Sequence, residues 1–211
     1  GLSYPLKMHF ANIVDNDYYL SASLGGLTNG VTTVEMASAY ATIENDGVYR
    51  EPTCIKKITD SEGNVILKNN GTKRKGTKVY DKNAARSMTD ILTGVLTSGT
   101  AAGHELNNMS CAGKTGTTND KKDGWFCGFT PYYTTTVWVG YDSPRTLEDL
   151  YGSTYPLTIW ENFMNEIHVG LENKDFVESE SSSSKSDKKD GSYSTKPRET
   201  IDPEARETET P

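Results

Sequence analysis

Lys114-Thr115-Gly116-Thr117-Thr118-Asn119-Asp120, followed after two lysines by Asp123-Gly124-Trp125-Phe126-Cys127-Gly128-Phe129-Thr130-Pro131, is the stretch whose reading decides the fold. Its first half completes a β-prone run, Met109 to Thr118, and Asn119 to Lys122 have the polar chemistry of a turn. Gly124 to Thr130 reads as a second strand. Thr134 to Tyr141 reads as a third, because Val137, Val139 and Tyr141 alternate with Trp138 and Gly140. Parallel neighbours need a long crossover, so such short polar connections predict an antiparallel meander.

Helices are predicted on both sides of this meander. Downstream, Pro156 stands near a helix start and precedes Ile159, Trp160, Phe163, Met164 and Ile167, an apolar face suited to packing on the sheet. Upstream, Asp81 caps a helix whose Ala84, Met88, Ile91, Leu92, Val95 and Leu96 recur at helical spacing until Gly99. Earlier still, Thr32 and Glu35 form a capping box. Val34, Ala37, Ala41 and Asn45 then share one stripe as far as Gly47. Thr53 to Ile58 and Val65 to Lys68, separated by Asp60-Ser61-Glu62-Gly63-Asn64, read as a hairpin. Gly1 to Asn29 shows no sustained period and reads as the middle of something larger. Residues 1–172 are taken as the folded part, and 173–211, rich in Ser, Glu, Lys, Thr and Pro, as a disordered tail that buries too little surface to offset its ordering entropy.

Composition excludes several functions. A formal charge of -7 argues against a nucleic-acid partner, and the densest basic run, Lys73-Arg74-Lys75, is too short to change that. No segment has the length and apolarity of a membrane span or the order of a signal peptide, so any anchor is expected outside this chain. Cys54, Cys111 and Cys127 have neither zinc nor disulfide spacing and read as separate half-buried thiols. His9, His104 and His168 are scattered and are assigned to the surface, which leaves no His-based triad or metal site. Asp120 and Asp123 fall in a turn where Asp is ordinary, and Trp125, Trp138 and Trp160 read as packing anchors.

The hairpin around Lys114 resembles the KTGT active-site strand and the DGWF-G-TP strand of high-molecular-weight penicillin-binding proteins. Leu24-Gly25-Gly26, Gly30-Val31-Thr32-Thr33-Val34-Glu35-Met36-Ala37 and Ala39-Tyr40-Ala41 resemble the family's LGG…GVTPLEMA.AYA segment, with Thr33 where proline is common. Val95 to Ala102 resembles the turn before the KTG strand. These matches run in family order from about Leu20 to Ile167 and are similar to the C-terminal part of a class A, bifunctional transpeptidase domain.

The resemblance implies an α+β fold of the serine β-lactamase/D,D-transpeptidase type, an antiparallel sheet with flanking helices. That fold would be incomplete on the N-terminal side, where two further strands belong. It implies catalytic roles for Lys114, as a fixed cation, and Thr117, whose N–H would be an oxyanion donor. Thr115, Gly116, Thr117 and Thr118 would bind substrate: the hydroxyls would hold a carboxylate, and Gly116 would let backbone and ligand approach. The substrate peptide would lie beside the strand as an added strand, which requires an edge position. The implied partners are a peptidoglycan stem peptide or lipid-linked glycan strand, β-lactams, and the missing N-terminal part of the same protein. No cofactor or metal is implied, and the site of action would be the extracytoplasmic face of the bacterial cell membrane.

The family's nucleophilic serine, in S-x-x-K, and its S-x-N element should both precede the KTG strand. No S-x-N occurs in the sequence, and the S-x-x-K matches, Ser182 with Lys185 and Ser186 with Lys189, follow the strand and are attributed to composition. The chain is therefore expected to lack its nucleophile and to be inactive alone. Alternative readings are a non-catalytic binding or interaction module of the same fold, and a β-lactamase or D,D-carboxypeptidase.

Overall fold

A computed structural model describes residues 1–69 and 74–180. Lys73 of the basic run, both S-x-x-K matches and most of the predicted tail lie outside the described residues. The chain opens with α1 (Ser3–Lys7) and two short 3-10 turns, Asp15–Asp17 and Leu20–Leu24. It continues through α2 (Thr33–Glu44), β1 (Val48–Tyr49), β2 (Lys57–Thr59), β3 (Val65–Lys68), β4 (Thr77–Lys78) and α3 (Lys82–Thr97). The predicted meander follows as β5 (Ala112–Thr117), β6 (Asp123–Phe129) and β7 (Thr134–Gly140), and α4 (Tyr155–Ile167) closes the series. The three meander strands form one antiparallel sheet in the order β5-β6-β7.

Phe126 and Phe129 lie on opposite faces of β6, and each face has its own helix. On one side the Phe126 ring packs on Trp160 of α4, with ring centroids 4.8 Å apart. On the other, Phe129 meets Tyr40 of α2 at 6.4 Å. Leu92 of α3 joins the Phe129 side with Ala112, and Leu96 joins the Phe126 side, so α3 closes the Ala112 end of β5.

The helices form where expected, but several bury a different face. Val34 is 55% exposed, whereas Thr42 of α2 is buried. Ala39 packs against the Met8, Tyr49 and Val79 cluster, and Tyr40 and Ile43 pack against Leu92 and Phe129. On α3, Met88 and Ile91 point outward and the buried line is Ala85, Thr89, Leu92 and Leu96. Threonine is tolerated there because its hydroxyl donates to the helix's own backbone: Thr42 to Ser38 O at 2.7 Å and Thr89 to Ala85 O at 3.1 Å. On α4, Leu157, Trp160 and Met164 are fully buried, while Ile159 and Phe163 remain about half exposed.

The capping box is observed and also anchors a second segment. Glu35 accepts from Thr32 N–H at 2.7 Å, Thr32 Oγ1 accepts from Glu35 N–H at 3.2 Å, and the other Glu35 oxygen accepts from Ala11 N–H at 2.7 Å. Asp17 does similar work nearby. Its buried carboxylate accepts from Thr28 N–H at 2.6 Å and Val14 N–H at 2.9 Å, bonds that hold its carboxyl below the usual range and fix the turns before α2. β2 and β3 pair as a hairpin with every residue exposed.

The folded part extends beyond 172. Phe176 stacks edge-on against Phe129 at 5.5 Å, Ser110 Oγ donates to Asp175 at 2.6 Å, and Glu180 N–H donates to Asn83 Oδ1 at 2.7 Å. Residues 173–180, assigned to the tail by their polarity, are instead a strap on the body, because one aromatic and several side-chain hydrogen bonds suffice to hold so short a segment. The thiols and one imidazole also differ from expectation, whereas His9 is exposed as expected. Cys54 is exposed, while Cys111 and Cys127 are buried. His168 is buried and hydrogen-bonded, and His104 Nδ1 meets Glu161 at 2.6 Å.

Candidate functional site

The site is built on β5, which is an edge strand. Thr118 N–H donates to Asp123 O at 3.1 Å at the open end of the β5–β6 ladder. Along an antiparallel pair the bonded and non-bonded residues alternate, so Gly116 and Lys114 turn their backbone groups toward β6. Thr115 and Thr117 turn their N–H and C=O outward, to an edge with no strand beside it among the described residues.

The side chains divide between the two faces. Lys114 shares the α2 face with Cys127 and Trp125, the residues opposite it and opposite Gly116. Its ammonium is exposed and donates to Thr115 O at 3.0 Å. Thr115 and Thr117 lie on the α4 face. Thr115 Oγ1 is 2.7 Å from Thr100 Oγ1, and Thr117 Oγ1 accepts from Gly152 N–H at 2.9 Å. Thr118 has a different task, because its hydroxyl accepts from Lys122 N–H at 3.0 Å and Asp123 N–H at 2.9 Å and so closes the turn. Asp123 in turn accepts from Trp138 Nε1 at 3.0 Å, and Asp120 pairs with Lys122 at 2.9 Å, which gives both aspartates structural work.

A cleft of about 1050 Å³ opens on the Lys114 side. Residues 114–118 with Trp125 and Cys127 form one wall, Met36 and Tyr40 come from α2, and Tyr18, Leu20 and Leu24 come from the N-terminal turns. Leu20 and Leu24 are 91% and 92% exposed, an unusual state for two leucines beside a cleft. Burial pushes the Cys127 thiol up to about 12 and also raises the Tyr40 phenol, so both stay protonated at neutral pH. Cys127 is thereby a packing thiol rather than a nucleophile. Among the described residues no group of three His, Cys, Asp or Glu side chains gathers as a metal would require, and no helix is long and apolar enough to cross a membrane.

The structure brings Lys114, Thr115, Gly116 and Thr117 together at one free edge. The family model for the penicillin binding protein transpeptidase domain matches residues 10–165. The chain belongs to the penicillin-binding transpeptidase family. It is 41% identical over 161 residues to penicillin-binding protein 4 of Bacillus subtilis, an alignment covering 76% of this chain and 25% of that protein. It is 39% identical to penicillin-binding protein 1A of Clostridium acetobutylicum, over 83% of this chain and 21% of that one. The chain thus spans a quarter or less of these relatives. Among solved structures, the Mycobacterium tuberculosis PonA1 protein in complex with penicillin V superposes with a TM-score of 0.70 at 26% identity, covering 82% of this chain and 50% of that one. Penicillin-binding protein 1A of Haemophilus influenzae, at TM-score 0.69 and 22% identity, shares the α+β transpeptidase fold and covers 82% of this chain and 31% of that one.

Within this penicillin-binding domain, two groups at the strand escaped the sequence reading. Thr100 was legible only as part of the turn after α3. Gly152 had one available signal, a glycine in the loop just ahead of a proline-started helix. An added Cβ there would lie 2.5 Å from Trp125 O and 2.6 Å from Gly116 O, so only glycine lets this loop rest on β5.

Proposed function

We propose that the chain forms the carboxylate-binding and oxyanion side of a peptidoglycan D,D-transpeptidase site. The observation that carries this reading is the free edge of β5, where outward backbone groups of Thr115 and Thr117 stand beside threonine hydroxyls and the Lys114 cation. An extended stem peptide ending in D-alanyl-D-alanine would align on that edge by main-chain bonds. Its terminal carboxylate would meet the Thr115 and Thr117 hydroxyls, with Thr118 at the margin because its hydroxyl already holds the turn. When a serine oxygen attacks the penultimate carbonyl, the outward N–H of Thr117 would donate to the developing oxyanion, and the terminal D-alanine would leave. Lys114 supplies positive charge on the cleft side. A β-lactam presents a carboxylate and a strained amide in similar relation and would enter the same way.

The serine and its base come, in this reading, from a part of the same protein outside this chain, which also covers Leu20 and Leu24. Anchoring at the extracytoplasmic face of the membrane would likewise lie elsewhere. Fluorescent penicillin offered to the 211-residue chain and to the longer protein carrying it tests this. Covalent label is expected only on the longer protein. Label on any serine of the isolated chain would overturn the division of the site.

A further inference from the structure

We infer that Thr100 and the Gly152 amide are positioning groups that commit the Thr115 and Thr117 hydroxyls to donate toward an anion, an inference resting on the carboxylate reading above. A threonine hydroxyl has one hydrogen to give and two lone pairs to accept with. Thr117 Oγ1 already accepts the Gly152 N–H at 2.9 Å, and its own hydrogen has no acceptor among the described residues. That hydrogen is left for a ligand at the edge. An undirected hydroxyl could greet a donor or an acceptor equally; this one favours an acceptor.

Thr115 is handled by a side chain instead. Thr100 Oγ1 lies 2.7 Å from Thr115 Oγ1, and one of the two must donate to the other. With an anion at the edge, the arrangement that leaves both strand hydroxyls as donors has Thr100 donating to Thr115, and Thr115 donating outward. Thr100 is exposed and sits in the turn after α3, so it depends on no buried packing of its own. Lys114 on the opposite face adds positive charge to the same edge. Two hydroxyl donors set by fixed neighbours match a planar carboxylate, and the selectivity they confer is against ligands whose acid is masked.

The test uses the longer protein carrying this segment and compares acylation by benzylpenicillin with acylation by its methyl ester, each as a variant-to-parent ratio. Thr100→Val is expected to slow acylation by the acid about three- to ten-fold, the range for one neutral hydrogen bond, and to leave the ester ratio near one. Thr100→Ser restores the acid rate, and Thr100→Ala repeats the Val result if Val perturbs the turn. Equal slowing of acid and ester, or no slowing of either, overturns the role of Thr100. Thr115→Val separates the two levels of the argument. If it reduces the acid preference while Thr100→Val does not, only the positioning role fails. If Thr115→Val and Thr117→Val both leave that preference intact, the carboxylate reading fails, and the role of Thr100 with it.

Discussion

Replacing Gly152 by alanine tests how the loop before α4 is held against β5. The new Cβ would stand 2.5 Å from Trp125 O, 2.6 Å from Gly116 O and 2.7 Å from Gly116 N. Carbon–oxygen contacts settle near 3.3 Å, so the loop has to retreat by roughly 0.7 Å. All three obstacles are backbone atoms of a hydrogen-bonded ladder, and no rotamer change relieves them. Retreat also stretches the 2.9 Å bond from Gly152 N–H to Thr117 Oγ1 toward the limit of a useful hydrogen bond. Overpacking costs about 1–3 kcal/mol, and the weakened bond adds about 1 kcal/mol. At about 2–4 °C per kcal/mol for a domain of this size, the melting temperature should fall by roughly 4–16 °C. The assay is thermal unfolding followed by tryptophan fluorescence, with Gly94→Ala in α3 as the control. A Cβ there meets no atom within 4 Å, and alanine suits a helix interior better than glycine, so no loss is expected. A Gly152→Ala protein as stable as its parent, or a Gly94→Ala loss of the same size, would refute the reasoning.

Three further outcomes are expected. Thr130 Oγ1 accepts from Tyr132 and Tyr133 N–H at 3.1 Å each, so its hydrogen goes to His168 Nε2 at 2.8 Å, and Nδ1–H donates to Met164 O at 2.6 Å. His168→Phe should therefore cost about 1–3 kcal/mol in urea unfolding, and in a double-mutant cycle with Thr130→Val the losses should fall short of adding up. Burial acts to raise the Glu35 carboxyl, but the bonds from Thr32 and Ala11 outweigh it and hold the pKa below 4.5. That contribution is complete above pH 4.5 and disappears as pH falls through the depressed folded value, so the stability gap between parent and Glu35→Gln should narrow in acid melts. A chain ending at residue 172 should melt below one ending at 180, because the shorter one removes Phe176 from Phe129 and Glu180 from Asn83.

The meander was legible because its strands carry their own punctuation. Asn119 to Lys122 can only turn, and the alternation through Trp138 fixes a strand wherever it is placed. Helix positions were legible for the same reason, since Thr32, Asp81 and Pro156 mark starts by local chemistry. Which face each helix buries was less legible. Thr42 and Thr89 look polar in sequence, yet each gives its only hydrogen to the carbonyl four residues back and enters the core satisfied. His168 misled for a related reason, because its partners Thr130 and Met164 are brought to it by the fold. The strand residues of the site announced themselves, whereas Thr100 and Gly152 act across 15 and 35 positions and leave no periodic trace.

The two outer strands of the sheet bear the same formal liability and resolve it differently. An edge strand offers unpaired N–H and C=O groups, and a soluble protein either blunts them or covers them. Beyond the Ala112 end, β5 is blunted: Lys114 projects a charge and engages the outward Thr115 C=O, Gly116 denies a template an apolar row, and the outward Thr115 N–H and the N–H and C=O of Thr117 suit something polar and extended. β7 has no such protection, since Thr134-Thr135-Thr136-Val137-Trp138-Val139-Gly140 is uncharged and β-prone along its length. Among the described residues no strand pairs with its outer edge. An edge of that composition calls for a protein strand, and a transient ligand would not protect it. Self-association of the isolated chain is the expected result when none is supplied. The polarity of the two edges thus suits β5 to the extended polar ligand of the proposed function and β7 to a further protein strand.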